Sequence, residues 1–182
     1  MIKKFIPLEI RKKKHIIKRN LNDFIYSKTK KTLFSKTYID INEISQYHSI
    51  INHKAHLYRD YKEPWYSIQK NKVKNLEKMI GFYNNLCIKP GETFSFWKLS
   101  ENPSAKNGYL PGMTLSNGEI VKTPGGGLCQ LSNAIFWTAL HAGMEIIERH
   151  RHSFDVFPDS KRTVPFACGA TILYNYKDLR FK

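Results

Sequence analysis

Cys129 has the clearest chemical opportunity in this chain, because the run Gly125-Gly126-Gly127-Leu128 delivers it to the start of an apparent helix. A thiol attacks carbon only as its thiolate, and an ordinary cysteine, with a pKa of about 8.5, is mostly protonated at neutral pH. A helix N-terminus offers unpaired N–H groups and the positive end of the helix dipole, both of which favour an anion. The glycines let backbone approach a substrate closely, so the amides of Gly126 and Gly127 are candidate oxyanion donors, with Gln130 and Asn133 as side-chain donors. The partner must be a base. In His150-Arg151-His152-Ser153-Phe154-Asp155-Val156, strand alternation places His150, His152, Phe154 and Val156 on one face. That apolar face should turn toward the central helix, which makes His152 the candidate base and His150 an accessory. Asp155 falls on the other face, badly placed to orient His152.

Blander readings of the same residues stand beside this one. A cysteine in a buried helix is usually a small hydrophobe. Cys129, His150 and His152 could instead bind a metal, although the spacing supplies no further ligand. Cys87 and Cys168 lack any comparable setting and read as structural, and His141 as packing. No metal and no cofactor are expected.

The elements that must position Cys129 are legible from periodicity. A helix is expected over 128–142, closed by Gly143 in a left-handed cap. Strands follow at 144–149, 152–157 and 166–174. Upstream, the stripe Val73, Leu76, Met79/Ile80, Tyr83 and Leu86 predicts a helix over 72–86. Pro90-Gly91 marks a turn before a strand at 93–97, and Asn117-Gly118 marks a tight hairpin between 115 and 121, followed by an irregular loop over 123–127. A short helix is expected near 41–52 and irregular structure through Pro64-Trp65-Tyr66. Helix, hairpin, central helix and consecutive strands argue for an α+β fold. The expectation is a single domain whose buried central helix (about 128–142) packs on an antiparallel sheet, with a basic N-terminal helical arm.

The arm carries most of the charge. Of the net +15, ten positive charges fall in residues 1–36, where twelve Lys/Arg face only Glu9 and Asp23. Apolar Ile10, Ile17, Leu21 and Phe24 recur at helical spacing among these lysines. The segment is either an interfacial helix on an anionic membrane surface or a basic helix packed on the domain. Nucleic acid is a poorer fit, since no recognition motif accompanies the charge. The opening Met1-Ile2-Lys3-Lys4 is followed by no apolar signal region. Between Thr123 and Met144 no Lys, Arg or acid occurs, but three glycines, Gln130, Ser132, Asn133 and His141 interrupt it, short of the roughly 20 apolar residues a span requires. With three scattered cysteines and no Cys-x-x-Cys pair, a reduced cytoplasmic chain, peripheral at the inner membrane face, is the expectation.

Four blocks carry a resemblance: Pro90-Gly91-Glu92-Thr93-Phe94-Ser95-Phe96-Trp97, Gly125-Gly126-Gly127-Leu128-Cys129-Gln130-Leu131-Ser132-Asn133, Glu148-Arg149-His150-Arg151-His152-Ser153 and Gly169-Ala170-Thr171. Together they resemble the VanW family, and Tyr174 to Leu179 extends the likeness. It divides the chain into a basic arm (1–36), a connecting region (37–71) and a VanW-like domain (72–182). The resemblance implies a bacterial protein tied to peptidoglycan and, through the family name, to glycopeptide resistance. Its partner would be a peptidoglycan precursor or wall peptide. Some larger members are L,D-transpeptidases that use the family cysteine, which implies Cys129 as nucleophile, His152 as base, and Gln130 with the glycine loop as oxyanion site. Three departures stand out. Gly169 occupies a position often held by Asp, His150 one often held by Trp, and short relatives continue past the Asp178-Leu179 block, so a truncated domain is expected.

Overall fold

In the computed structural model, residues 7–29, 32–116, 118–151 and 168–182 are described. The sequence Cys129–His141 forms the central helix, α5. It stops where expected: Gly143 adopts φ +72°, Gly143 N–H donates to Leu140 and Met144 N–H to Ala139. That pair of bonds is the Schellman arrangement, which satisfies carbonyls the last turn would otherwise orphan. Ser132, Phe136 and Ala139 are buried, whereas Leu140 and His141 are exposed. The helix is therefore covered along one side rather than enclosed between layers.

Before α5 the order is α1 (Leu8–Lys28), β1 (Leu33–Phe34), β2 (Thr37–Tyr38), α2 (Ile41–Ile44), α3 (Trp65–Ile80), β3 (Leu86–Cys87), β4 (Glu92–Ser95), α4 (Phe96–Leu99), β5 (Pro111–Ser116) and β6 (Glu119–Pro124); β7 (Ile146–Glu148) and β8 (Arg180–Phe181) follow it. Helices and sheets share one chain unit, an α+β fold. The main sheet has the order β1-β4-β8-β7 and is mixed, because β1 runs parallel to β4 while the other pairs are antiparallel. β1 comes from residues 33–34, so the N-terminal segment supplies a strand to the sheet as well as a helix beside it.

The core gathers Met79 from α3, Phe94 and Phe96 around β4, Phe136 and Ala139 from α5, and Leu179 and Phe181 from the C-terminal block. Phe94 and Phe181 are register partners whose rings stack at 4.5 Å.

Several sequence expectations shift here. The helix expected over 72–86 begins at Trp65 and ends at Ile80; the apolar stripe outlives it because Tyr83 and Leu86 keep facing the core through the turn that follows. The strand expected over 93–97 ends at Ser95, whose hydroxyl accepts from Lys98 N–H and starts a single helical turn. The hairpin is longer than 115–121, pairing Pro111 with Pro124 through to Ser116 with Glu119, so Thr123 and Pro124 are strand and not loop. The strand expected over 152–157 lies outside the described residues. Over 168–174, part of the strand expected at 166–174, there is only an isolated bridge from Leu173 to Lys177.

The arm helix α1 docks on the domain through charge. Arg19 makes a bidentate pair with Glu148 at 2.7 Å and also reaches the Tyr176 carbonyl. Asp23 receives a bidentate pair from Arg180 and a third contact from Lys98. Arg180 also bonds Asp178 at 2.8 Å. Against the cost of burial, Arg19, His150 and the Asp178 amide together hold Glu148 down to about 2 from an ordinary 4.5. A carboxylate with a depressed native pKa lends stability above its unfolded pKa and loses it as pH falls toward the native one. The urea midpoint should therefore be flat above pH ~5 and decline from there to pH ~2. Glu148→Gln should lower the plateau and flatten that decline; an unchanged acid slope in Glu148→Gln would show that other groups set it.

Candidate functional site

The start of α5 is fixed by a close backbone crossing. Gly126 lies against Gly112 of β5 so tightly that a Cβ on Gly126 would sit 2.1 Å from the Gly112 carbonyl carbon. Asn75, buried on α3, secures both strands of the crossing: its amide donates to the carbonyls of Leu110 and Gly126, and its oxygen accepts from Leu110 N–H. The amides of Gly125 and Gly126 are spent on the carbonyls of Leu110 and Thr123. Gly126 is thus a packing residue whose N–H is committed. Among the described residues, the N–H groups of Gly127 and Cys129 have no acceptor. These two amides sit at the positive end of α5.

Gly127 adopts φ +96° beneath the stem of Lys72 on α3, where a Cβ would lie 2.3 Å from the lysine Cγ. Lys72 Nζ donates to the carbonyl of Leu57, and burial together with the charge of Arg59 lowers it to about 8. The chain from 53 to 59 crosses this end of α5. The Gln130 side chain donates to the His56 carbonyl at 2.7 Å, His53 lies against Trp137, and Gln69 exchanges two bonds with the main chain of Arg59. Gln130 thus bonds a segment outside the helix and its glycine loop.

Cys129 faces the segment 169–172. Its Sγ lies 3.9 Å from the Ile172 carbonyl, a long and weak contact. Burial pushes the thiol above its ordinary value, with the Ile172 contact and the charge of Lys177 opposing. The helix start was expected to lower it; burial acts the other way, because it disfavours the charged form. One helical turn on, Asn133 Oδ1 accepts from Ala170 N–H and the Ser132 hydroxyl donates to the Ala170 carbonyl. A Cβ on Gly169 would meet Asn133 Oδ1 at 2.3 Å. Asn133 is therefore a clamp on the Gly169-Ala170 segment. These bonds, with Arg149 Nε on the Gly169 carbonyl and Thr171 N–H on the His150 carbonyl, consume the hydrogen bonds that a strand would have needed.

His150 does not face α5 as alternation predicted. Its Nε2 lies 2.8 Å from Glu148 Oε1, on the side of the arm, and Arg149 instead covers the Phe136 ring of α5 at 4.8 Å. The register shifts by one between Ile146 and Glu148 against β8, an irregularity that reverses the alternation. His152 lies outside the described residues. Among the described residues no group of three His, Cys, Asp or Glu could hold a metal. A cleft of about 820 Å³ lies between α1 and β7–β8, lined by His15, Arg19, Glu148 and Arg180; it does not include Cys129.

Sequence reasoning missed Asn75 and Lys72. Asn75 adjoins the buried stripe of α3, and a polar residue beside such a stripe was the available signal.

This is an α+β domain in which a cysteine opens a helix behind a glycine crossing. Residues 71–182 match the family described as VanW like protein, and the chain belongs to that family. Over 114 residues it is 40% identical to Vancomycin B-type resistance protein VanW of Enterococcus faecalis (strain ATCC 700802 / V583), covering 63% of this chain and 42% of that one. Over 116 residues it is 29% identical to Uncharacterized protein YoaR of Bacillus subtilis (strain 168), covering 64% and 37%. The matched region thus spans less than half the length of either relative. No solved structure matches.

The glycine crossing yields a direct test. Gly126→Ala should lower the unfolding free energy by more than ~2 kcal/mol, since both sides of the clash are backbone and cannot rotate away. Gly91→Ala, with a positive φ but nothing near its Cβ position, should cost only about 1 kcal/mol. Equal losses in urea titrations would contradict the crossing.

Proposed function

We propose that this protein acts on wall peptides as a cysteine-dependent acyl transferase, with Cys129 as nucleophile and His152 as its base. The observation that carries this reading is the pair of unspent amides at Gly127 and Cys129 beside the sulfur's own helix start. Such donors favour the oxyanion that forms when a thiolate adds to a peptide carbonyl. In the reaction, His152 takes the thiol proton and sulfur bonds the carbonyl carbon. The C–N bond then breaks, the amine leaves with that proton, and a thioester remains on Cys129. A second amine attacks the thioester and restores the thiol. Burial pushes the thiol up, so a base that takes its proton assists the attack. The choice of wall peptides rests on the family and on a relative whose name refers to vancomycin resistance.

A second reading is a non-catalytic protein that binds wall precursors, and the observation in its favour is the packing of Cys129 against the segment 169–172, where burial pushes its thiol up. Intact-mass measurement after incubation with peptidoglycan stem peptides separates the two. The catalytic reading expects a thioester-sized adduct that Cys129→Ala abolishes without loss of fold. Iodoacetamide should label Cys129 slowly near neutral pH and faster as pH rises through the elevated thiol value. Binding of stem peptides with no adduct, unchanged in Cys129→Ala, would establish the accessory reading instead.

A further inference from the structure

Helix α1 is mounted the wrong way round for a helix that packs by apolar burial. The face toward the domain is polar, built from Arg19 and Asp23 in their ion pairs, with His15 edge-on to Tyr176. The opposite face carries Ile10, Ile17, Leu21 and Phe24, which are 56%, 68%, 56% and 61% exposed. At 3.6 residues per turn these four fall within a sector about 60° wide. Lys13 and Lys14 border that sector within about 20° and Lys28 falls inside it; all three are exposed, and no acidic residue falls within it. Four large apolar side chains held in water beside a row of cations call for a partner that is both apolar and anionic. A nucleic-acid duplex supplies the charge but little apolar surface to cover the stripe. A second copy of α1 would supply the apolar surface but set lysine against lysine. An acidic bilayer supplies both at its interface.

We propose that α1 is a membrane-facing element: its apolar stripe enters the interface of an anionic lipid bilayer, its lysines pair with the headgroups, and the ion pairs behind it hold the domain in a set orientation. α1 lies outside residues 71–182, so the inference concerns this chain and not its family, and it stands independently of the chemistry at Cys129. Among the described residues no helix is long and apolar enough to cross a membrane, and the proposal needs only a helix lying in the plane.

The test uses the full chain with vesicles of phosphatidylcholine alone or mixed with phosphatidylglycerol. Wild type should sediment with the acidic vesicles and release steeply as salt rises. The triple variant Ile17→Ser, Leu21→Ser, Phe24→Ser changes only exposed side chains and should keep its urea midpoint, yet its partition should fall at least roughly tenfold. Phe24→Trp should shift its emission to the blue when acidic vesicles are added. Failure of wild type to sediment, or equal sedimentation of the triple variant, overturns the proposal. So does a self-associated state that the triple variant abolishes while vesicle binding is absent, which would assign the stripe to a second copy. Stronger retention on duplex nucleic acid than on acidic vesicles, insensitive to the triple variant, overturns it too.

Discussion

Asp178 has essentially no exposed surface, and a carboxylate in that position must find every hydrogen bond it needs within the fold. It finds them from three directions: the Ser95 hydroxyl at 2.6 Å and Trp97 N–H where β4 turns into α4, the adjacent Leu179 N–H and Arg180 side chain at the start of β8, and Arg19 of α1 at 3.7 Å. The block that resembles a family signature at the C-terminus is thereby locked to the block that begins Pro90-Gly91. Arg180 extends the network to Asp23, and Arg19 extends it to Glu148 and, through that residue, to His150. Removing one member of such a buried set leaves its partners charged and unpaired, a loss of about 3–5 kcal/mol. Asp178 and Arg180 thus brace β8 where it lies between β4 and β7.

A second constraint sits at the other end of the core. The Gly112–Gly126 crossing, tied by Asn75, sets the angle at which the hairpin β5–β6 hands the chain to α5. That angle presents the first residue of α5 to the segment 169–172, which Ser132 and Asn133 clamp to the same helix face. Cys129 is therefore placed by packing on both sides, and the same packing leaves it half-buried. Positioning and desolvation come together here, and they pull the thiol in opposite directions: the free amides at Gly127 and Cys129 favour negative charge, while burial disfavours it.

The two constraints divide the molecule. One belongs to the arm side, where charged residues of α1 meet β7 and β8; the other belongs to the side where the 53–59 segment crosses α5. His150 falls with the first. Its imidazole is engaged by Glu148, on the side of the arm.

The sequence by itself determined the central helix with its Gly143 cap, the hairpin of β5 and β6, the α+β class and the position of Cys129 at a helix start. Each of these is a local matter, settled by periodicity, by which residues tolerate positive φ and by unpaired amides in a first turn. The motif blocks also sufficed to recognise the family. Tertiary structure decided the rest. The register of β7 slips by one residue against β8, a partner strand 32 to 35 residues away in sequence, and His150 just beyond it pairs with Glu148. Whether α1 lies apolar side in or out depends on Glu148, Asp178 and Arg180, none of them near it in the chain. The burial that pushes the thiol of Cys129 up comes from long-range packing against the segment 169–172, which composition and spacing do not encode.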